Sequence, residues 1–135
     1  RTFGRKIGEG MAGDIRTTEP TECILWRTEV LTIEQIRGIL SLVTTYEDDS
    51  HLIRNLLRCK ECGHLYFHEF YEEIDWQEGK DAQYFTWIPV DDQESAENLS
   101  KLSVMEVLVH PSIMYDYPKG ADIPRGPAWH GRKNS

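Results

Sequence analysis

Long apolar runs are scarce in this 135-residue chain. Stretches such as Ile39–Val43 are broken by polar residues, far short of the roughly 20 residues that cross a bilayer as a helix. No membrane partner is therefore expected. Cysteine is scarce and odd in number: Cys23, Cys59 and Cys62. Three cysteines, two of them in a Cys-x-x-Cys pair, do not make the paired framework of a small secreted domain. Residues 1–13 are basic and glycine-rich and lack the apolar middle of a secretory signal. A cytoplasmic location is expected on both grounds.

Catalytic motifs are also missing. Gly8-Glu9-Gly10 is followed by no Gly-Lys-Ser/Thr, and His68-Glu69 has no second histidine four positions on, so neither a phosphate loop nor a zinc-protease helix is present. The Cys59/Cys62 pair has no second Cys-x-x-Cys and no upstream His/Cys-x-Glu element of the kind zinc deaminases carry. Positive charge is in short supply as well. Against 15 Lys and Arg stand 23 Asp and Glu, for a net charge of −8. The basic residues gather at the ends. Residues 1–16 hold four basic and two acidic residues, and residues 117–135 hold four and one. The body between is more acidic still, which repels nucleic acid and anionic membrane and attracts basic proteins.

What is present points to one domain. Residues 1–20, with four glycines, Pro20 and no apolar periodicity, are expected to be a flexible lead, in part vector-derived, with Met11 the natural start. Glu22–Trp26 reads as a short strand. Thr32 is a good N-cap with Gln35 in the capping-box position, and Ile33, Ile36, Leu40 and Val43 follow at helical spacing, predicting a helix over 33–44 that ends in the acidic loop 47–50. Leu52–Arg58 reads as a strand. Leu65–Trp76 fits both periods, but its aromatic density favours strand. It is expected to form a hairpin with Tyr84–Val90, in which Pro89 marks a strand end or edge. Asp91 or Asp92 caps a second helix with Leu99, Leu102, Met105 and Val109 on one stripe, stopped by Pro111. The predicted fold is α+β: a small, mainly antiparallel sheet with two helices on one face, spanning residues 21–117. A Pro/Gly-rich tail, 118–135, follows, pinned by Trp129.

The sharpest feature is Arg58-Cys59-Lys60-Glu61-Cys62-Gly63-His64-Leu65-Tyr66. It resembles the knuckle hairpin of rubredoxins and zinc ribbons. Two residues between the thiolates let both sulfurs face one ion, and glycine after the second cysteine permits a left-handed backbone. The resemblance implies Cys59 and Cys62 as ligands and Gly63 as the turn residue. It departs from that pattern in lacking the second cysteine pair. A tetrahedral site then needs two more ligands from Cys23, His51, His64, His68, His110 or His130. Cys23 is the best third and a histidine beside the turn, His64, the best fourth. A structural zinc is the expected cofactor. A metal-free knuckle, a redox dithiol and a site shared between chains stay open beside it.

Glu69, Glu72, Glu73 and Asp75 form an acidic run read as the outer face of the sheet and as the surface a partner would meet. Trp26, Trp76, Trp87 and Tyr84 are read as core or cross-strand pairs. The expected function is a non-catalytic acidic protein that docks a basic protein. One version is an immunity protein that neutralises a nuclease toxin. The stretch Cys59–Trp76 resembles segments of small uncharacterised bacterial proteins. The alternative is an enzyme that uses Cys59 and Cys62 with zinc or as a dithiol.

Overall fold

A computed structural model describes residues 13–132. Residues 1–12, and with them the expected start at Met11, lie outside the described residues, as do residues 133–135. Among the described residues, no helix is long and apolar enough to cross a membrane.

Six antiparallel strands form one sheet in the order of the sequence: β1 (Leu40–Asp48), β2 (Leu52–Cys59), β3 (Leu65–Glu73), β4 (Ala82–Val90), β5 (Ser112–Tyr117) and β6 (Arg125–His130). Among the described residues four short helices accompany it: α1 (Ile24–Arg27), α2 (Ile33–Ile39), α3 (Gln93–Leu99) and α4 (Val104–Val107). The expectation of two helices on one face of a small sheet does not hold. The helices are shorter and more numerous, and they cover both faces.

Alternation explains why. Along β3, Tyr66 and Phe67 are adjacent and both fully buried, so they point to opposite faces. Trp87 and Ile88 do the same on β4. On one face Cys59, Tyr66, Trp87 and Ile113 pack with Leu25 and Trp26 of α1, Leu31 and Ile36. On the other Leu56, Phe67, Ile88 and Val90 pack with Ala96 and Leu99 of α3 and Val107 of α4.

Three local expectations, one strand and two helices, are corrected. Glu22–Trp26 is not a strand. Pro20 O accepts the Cys23 N–H at 2.8 Å, and Cys23 O accepts from Trp26 and Arg27, which winds one helical turn. The helix expected over 33–44 stops at Ile39, although Thr32 does cap it through the Gln35 N–H. Beyond Gly38, the β-branched run Val43-Thr44-Thr45 extends as β1 against β2. Leu42 and Val43 are exposed there. The second long helix breaks in two. Asp92 caps α3 by accepting the Ser95 N–H, and Ser103 opens α4 with a capping box to Glu106. Met105 and Val109 of the expected stripe are exposed.

Two strands lie where patterning showed none. β5 follows Pro111, and β6 falls inside the stretch expected as a tail. Trp129 does fix this segment: its ring meets Trp26 edge-on at 5.0 Å, and its Nε1 donates to Leu25 O at 2.9 Å. Pro89 sits near the end of β4, past the last residue paired with β5. Within the expected lead, Asp14 and Arg16 are bonded to α3. Asp14 O accepts from Asn98, Arg16 N donates to Ser95 Oγ, and the Arg16 guanidinium meets Asp92 and Glu94.

Among the described residues one ion pair is buried. The guanidinium of Arg54 on β2 lies 2.7 Å from the carboxylate of Glu69 on β3. It also donates to the carbonyls of Ser100 and Leu102 where α3 ends. Removing one member of such a pair leaves the other charge stranded. Arg54→Met is expected to cost about 3–5 kcal/mol in chemical denaturation. The double change R54M/E69L should recover most of that loss; a double variant as unstable as R54M would show that packing, not the stranded charge, sets the cost.

The sheet also makes stability pH-dependent. His68 stacks on Trp87 at 4.6 Å and donates from Nδ1 to Thr86 O. Burial pushes its pKa down to about 4 from 6.5, with Arg37 adding to the effect and the Thr86 carbonyl opposing it. Between those values the unfolded chain binds a proton that the folded one does not, so stability falls as pH drops through this window. Denaturation across pH 7 to 4 should show that slope, flattened in His68→Phe.

Candidate metal centre

The site is built where β2 turns into β3. Cys59 ends β2; its N–H donates to His64 O and its carbonyl accepts from the Gly63 N–H, both at 2.9 Å. That closes a tight loop over Lys60–Gly63. Gly63 takes φ +82°, a left-handed backbone that a side chain would strain. The backbone N–H groups of Glu61 and Cys62 turn toward the Cys59 sulfur. Cys59 is fully buried, while Cys62, at the tip of the loop, is exposed.

The third sulfur comes from far away in sequence. The turn at Pro20 and the start of α1 bury Cys23 completely. Tyr66 of β3, also fully buried, donates from its hydroxyl to the Cys23 Sγ at 3.1 Å. The Sγ atoms of Cys23, Cys59 and Cys62 all lie within 4.8 Å of one another. All three are free thiols. A helix turn and a hairpin loop thus converge on one point, and these residues are able to hold a metal ion.

The three thiols differ electrostatically. Burial pushes Cys23 up to about 11, against the Tyr66 hydrogen bond, which favours its thiolate. At Cys59 burial acts upward too, but the N–H groups of Cys62 and Glu61 and the neighbouring thiols outweigh it, so its pKa falls below the usual cysteine value. Burial, reinforced by the Cys23 sulfur, raises the Tyr66 phenol, which stays protonated and able to donate.

His64, the expected fourth ligand, does not join the sulfurs. Its ring stands edge-on to Tyr66 at 5.6 Å, its Nε2 is buried without a partner, and burial lowers its pKa. Among the described residues no other His, Cys, Asp or Glu completes the group. Sequence reasoning did not find Tyr66; with Cys23 assigned to a strand, nothing aligned the two.

The acidic run is dispersed. Glu69 is buried against Arg54 and so is not on the outer surface that a docked protein would meet. Glu72 is held below the usual carboxylate range by the Gln83 amide and by His51. Asp75 accepts the N–H groups of Gln77, Glu78 and Lys80 and closes the turn after β3. Of the four, Glu73 alone is exposed with no such partner. Trp26 and Trp87 are core; Trp76 is exposed.

No family model, no curated protein and no solved structure matches this chain.

The geometry orders the reactivity of the metal-free thiols. Alkylation should modify exposed Cys62 first, Cys59 next and Cys23 last, as read by mass mapping. Tyr66→Phe removes the hydrogen bond that favours the Cys23 thiolate, so it should slow alkylation of Cys23 further and cost about 1 kcal/mol of stability. Faster labelling of Cys23 in this variant would show that Tyr66 shields the thiol rather than tuning it.

Proposed function

We propose that this chain is a non-catalytic binding domain whose fold is stapled by one zinc ion held by Cys23, Cys59 and Cys62. The observation that carries this reading is the gathering of three sulfurs from two distant segments within 4.8 Å. Tetrahedral zinc with Zn–S bonds of about 2.3 Å places sulfurs about 3.8 Å apart. The three sulfurs lie within about an ångström of that spacing or closer, and the loop N–H groups already favour the Cys59 thiolate.

The donor set suits a structural role. Three thiolates outweigh the charge of a divalent ion, so a water in the remaining position gains little acidity. When bound, zinc supplies a cross-link between the start of α1 and the β2–β3 loop. The chain's own groups do the rest: Tyr66 orients the Cys23 sulfur, and Gly63 lets the loop turn Cys62 back. Net charge −8 makes a basic protein the partner class this domain's field favours, which keeps the toxin-neutralising version as one form of the proposal.

Elemental analysis of protein purified without chelator is expected to give about one zinc per chain. A metal present at a hundredfold excess over its Kd stabilises by about 3 kcal/mol, so chelation should lower Tm by about 10 °C. Cys23→Ser is the discriminating variant. It should lose the zinc as C59S does, whereas a site confined to the hairpin would keep it. Metal-free protein with Cys59 and Cys62 both reacting freely would overturn the staple and leave a dithiol.

A further inference from the structure

A second site lies on the opposite sheet face, and it does not depend on the metal. Residues in register across the strands form two rows there. Glu69 pairs with Thr86, Thr86 with Met114 and Met114 with Ala128; Tyr71 pairs with Tyr84, Tyr84 with Asp116 and Asp116 with Arg125. Helix α3 covers the sheet beyond this region, and α4 walls one side with Val104 and Met105, together with Leu108 just after it. The result is a cavity of about 650 Å³, within the size range of small-molecule sites.

Its polar groups are few and of one leaning. The Tyr71 and Tyr84 rings stack at 6.1 Å and 18°, giving an aromatic wall. The lining carries three carboxylates: Asp116 is paired with Arg125, Glu69 with Arg54 beneath it, and Glu73 is left without a counter-charge among the described residues; His130 lies at the same lining. The Glu69 side chain is 3% exposed, and Arg54 engages its Oε2 only. Among the described residues Oε1 has no hydrogen-bond donor, and Glu73 has no ion-pair partner. The free Glu69 oxygen at the edge of an apolar cavity favours an occupant that donates a hydrogen bond, and the unpaired Glu73 one that carries positive charge. Tyrosine faces favour the same charge.

We propose that this cavity binds a small organic cation, a protonated amine on an aromatic body, with the ammonium between Glu69 Oε1 and Glu73 and the ring against Tyr71, Tyr84 and Met105. A lysine side chain from a docked protein offers the charge but leaves most of a cavity this size unfilled.

The test uses the full chain and phenethylammonium, followed by amide NMR shifts. Saturable shifts centred on Tyr71, Tyr84 and Met105 are expected. 2-Phenylethanol, which lacks the charge, should bind about tenfold more weakly, the value of one charged hydrogen bond. Butylammonium, which lacks the ring, should also bind more weakly, and phenylacetate should not bind. Glu69→Gln risks the fold because Arg54 loses its counter-charge, so two exposed positions carry the test. Glu73→Gln should weaken phenethylammonium several-fold, and Met105→Arg should abolish its binding while leaving the rest of the spectrum unchanged. Equal affinity for the amine and the alcohol, equal affinity for butylammonium, wild-type binding by M105R, or no saturable shift would each overturn the proposal.

Discussion

Strands β3 and β4 set the terms for everything else. Their side chains are apolar on both faces, with Tyr66 and Phe67 side by side on one strand and Trp87 and Ile88 on the other. A sheet of that kind cannot leave one face to water, as many antiparallel sheets do. It needs cover twice over, and the chain has few residues with which to supply it. The covers are accordingly single turns and two-turn helices, placed before and after the central strands. Short helices hold poorly on their own propensity. Each is therefore fixed by something specific: Thr32, Asp92 and Ser103 as caps, Arg54 under the α3–α4 connection, and the sulfur group beneath α1.

The two faces divide the chemistry. One carries the thiols, two of them buried beneath the segment that leads into α1 and the third exposed at the loop tip. The other carries a half-covered floor where α4 stops short of β5 and β6. Both sites arise at the margins of a cover, where the sheet's side chains are neither packed away nor left to solvent. That placement is common for binding sites on compact scaffolds, since the rigid sheet supplies position and the margin supplies access.

Legibility in the sequence followed how many periods each residue satisfied. The β3–β4 hairpin was legible because its density of aromatics favours strand even though Leu65–Trp76 fits both periods. Leu40 was not, since it continues the helical stripe from Ile33 and Ile36 and also opens the strand that pairs with β2; the β-branched residues after it decided the matter through tertiary pairing. Cys23 was placed correctly beside Cys59 and Cys62 but on the wrong kind of element, because a four-residue helix has too few positions to show a period. β6 was hidden by Gly126 and Pro127, which read as a tail until the partner strand is known, and β5, close behind Pro111, was too short to show a period. Glu69 looked like surface because its partner, Arg54, lies on another strand, and an ion pair between strands leaves no local signature.

The contact between Trp26 and Trp129 closes the molecule on itself. The hydrogen bond from the Trp129 ring to Leu25 joins residues 104 positions apart, whereas every strand pairing in the sheet is between neighbours in sequence. The meander is thus assembled from local hairpins that form without long loop closure, and its relative contact order is low for a β-rich chain. The seal over α1 is the exception. It awaits β6, so during synthesis the Trp26–Trp129 contact over α1 forms only after Trp129 has left the ribosome, later than the β2–β3 hairpin that carries Cys59 and Cys62.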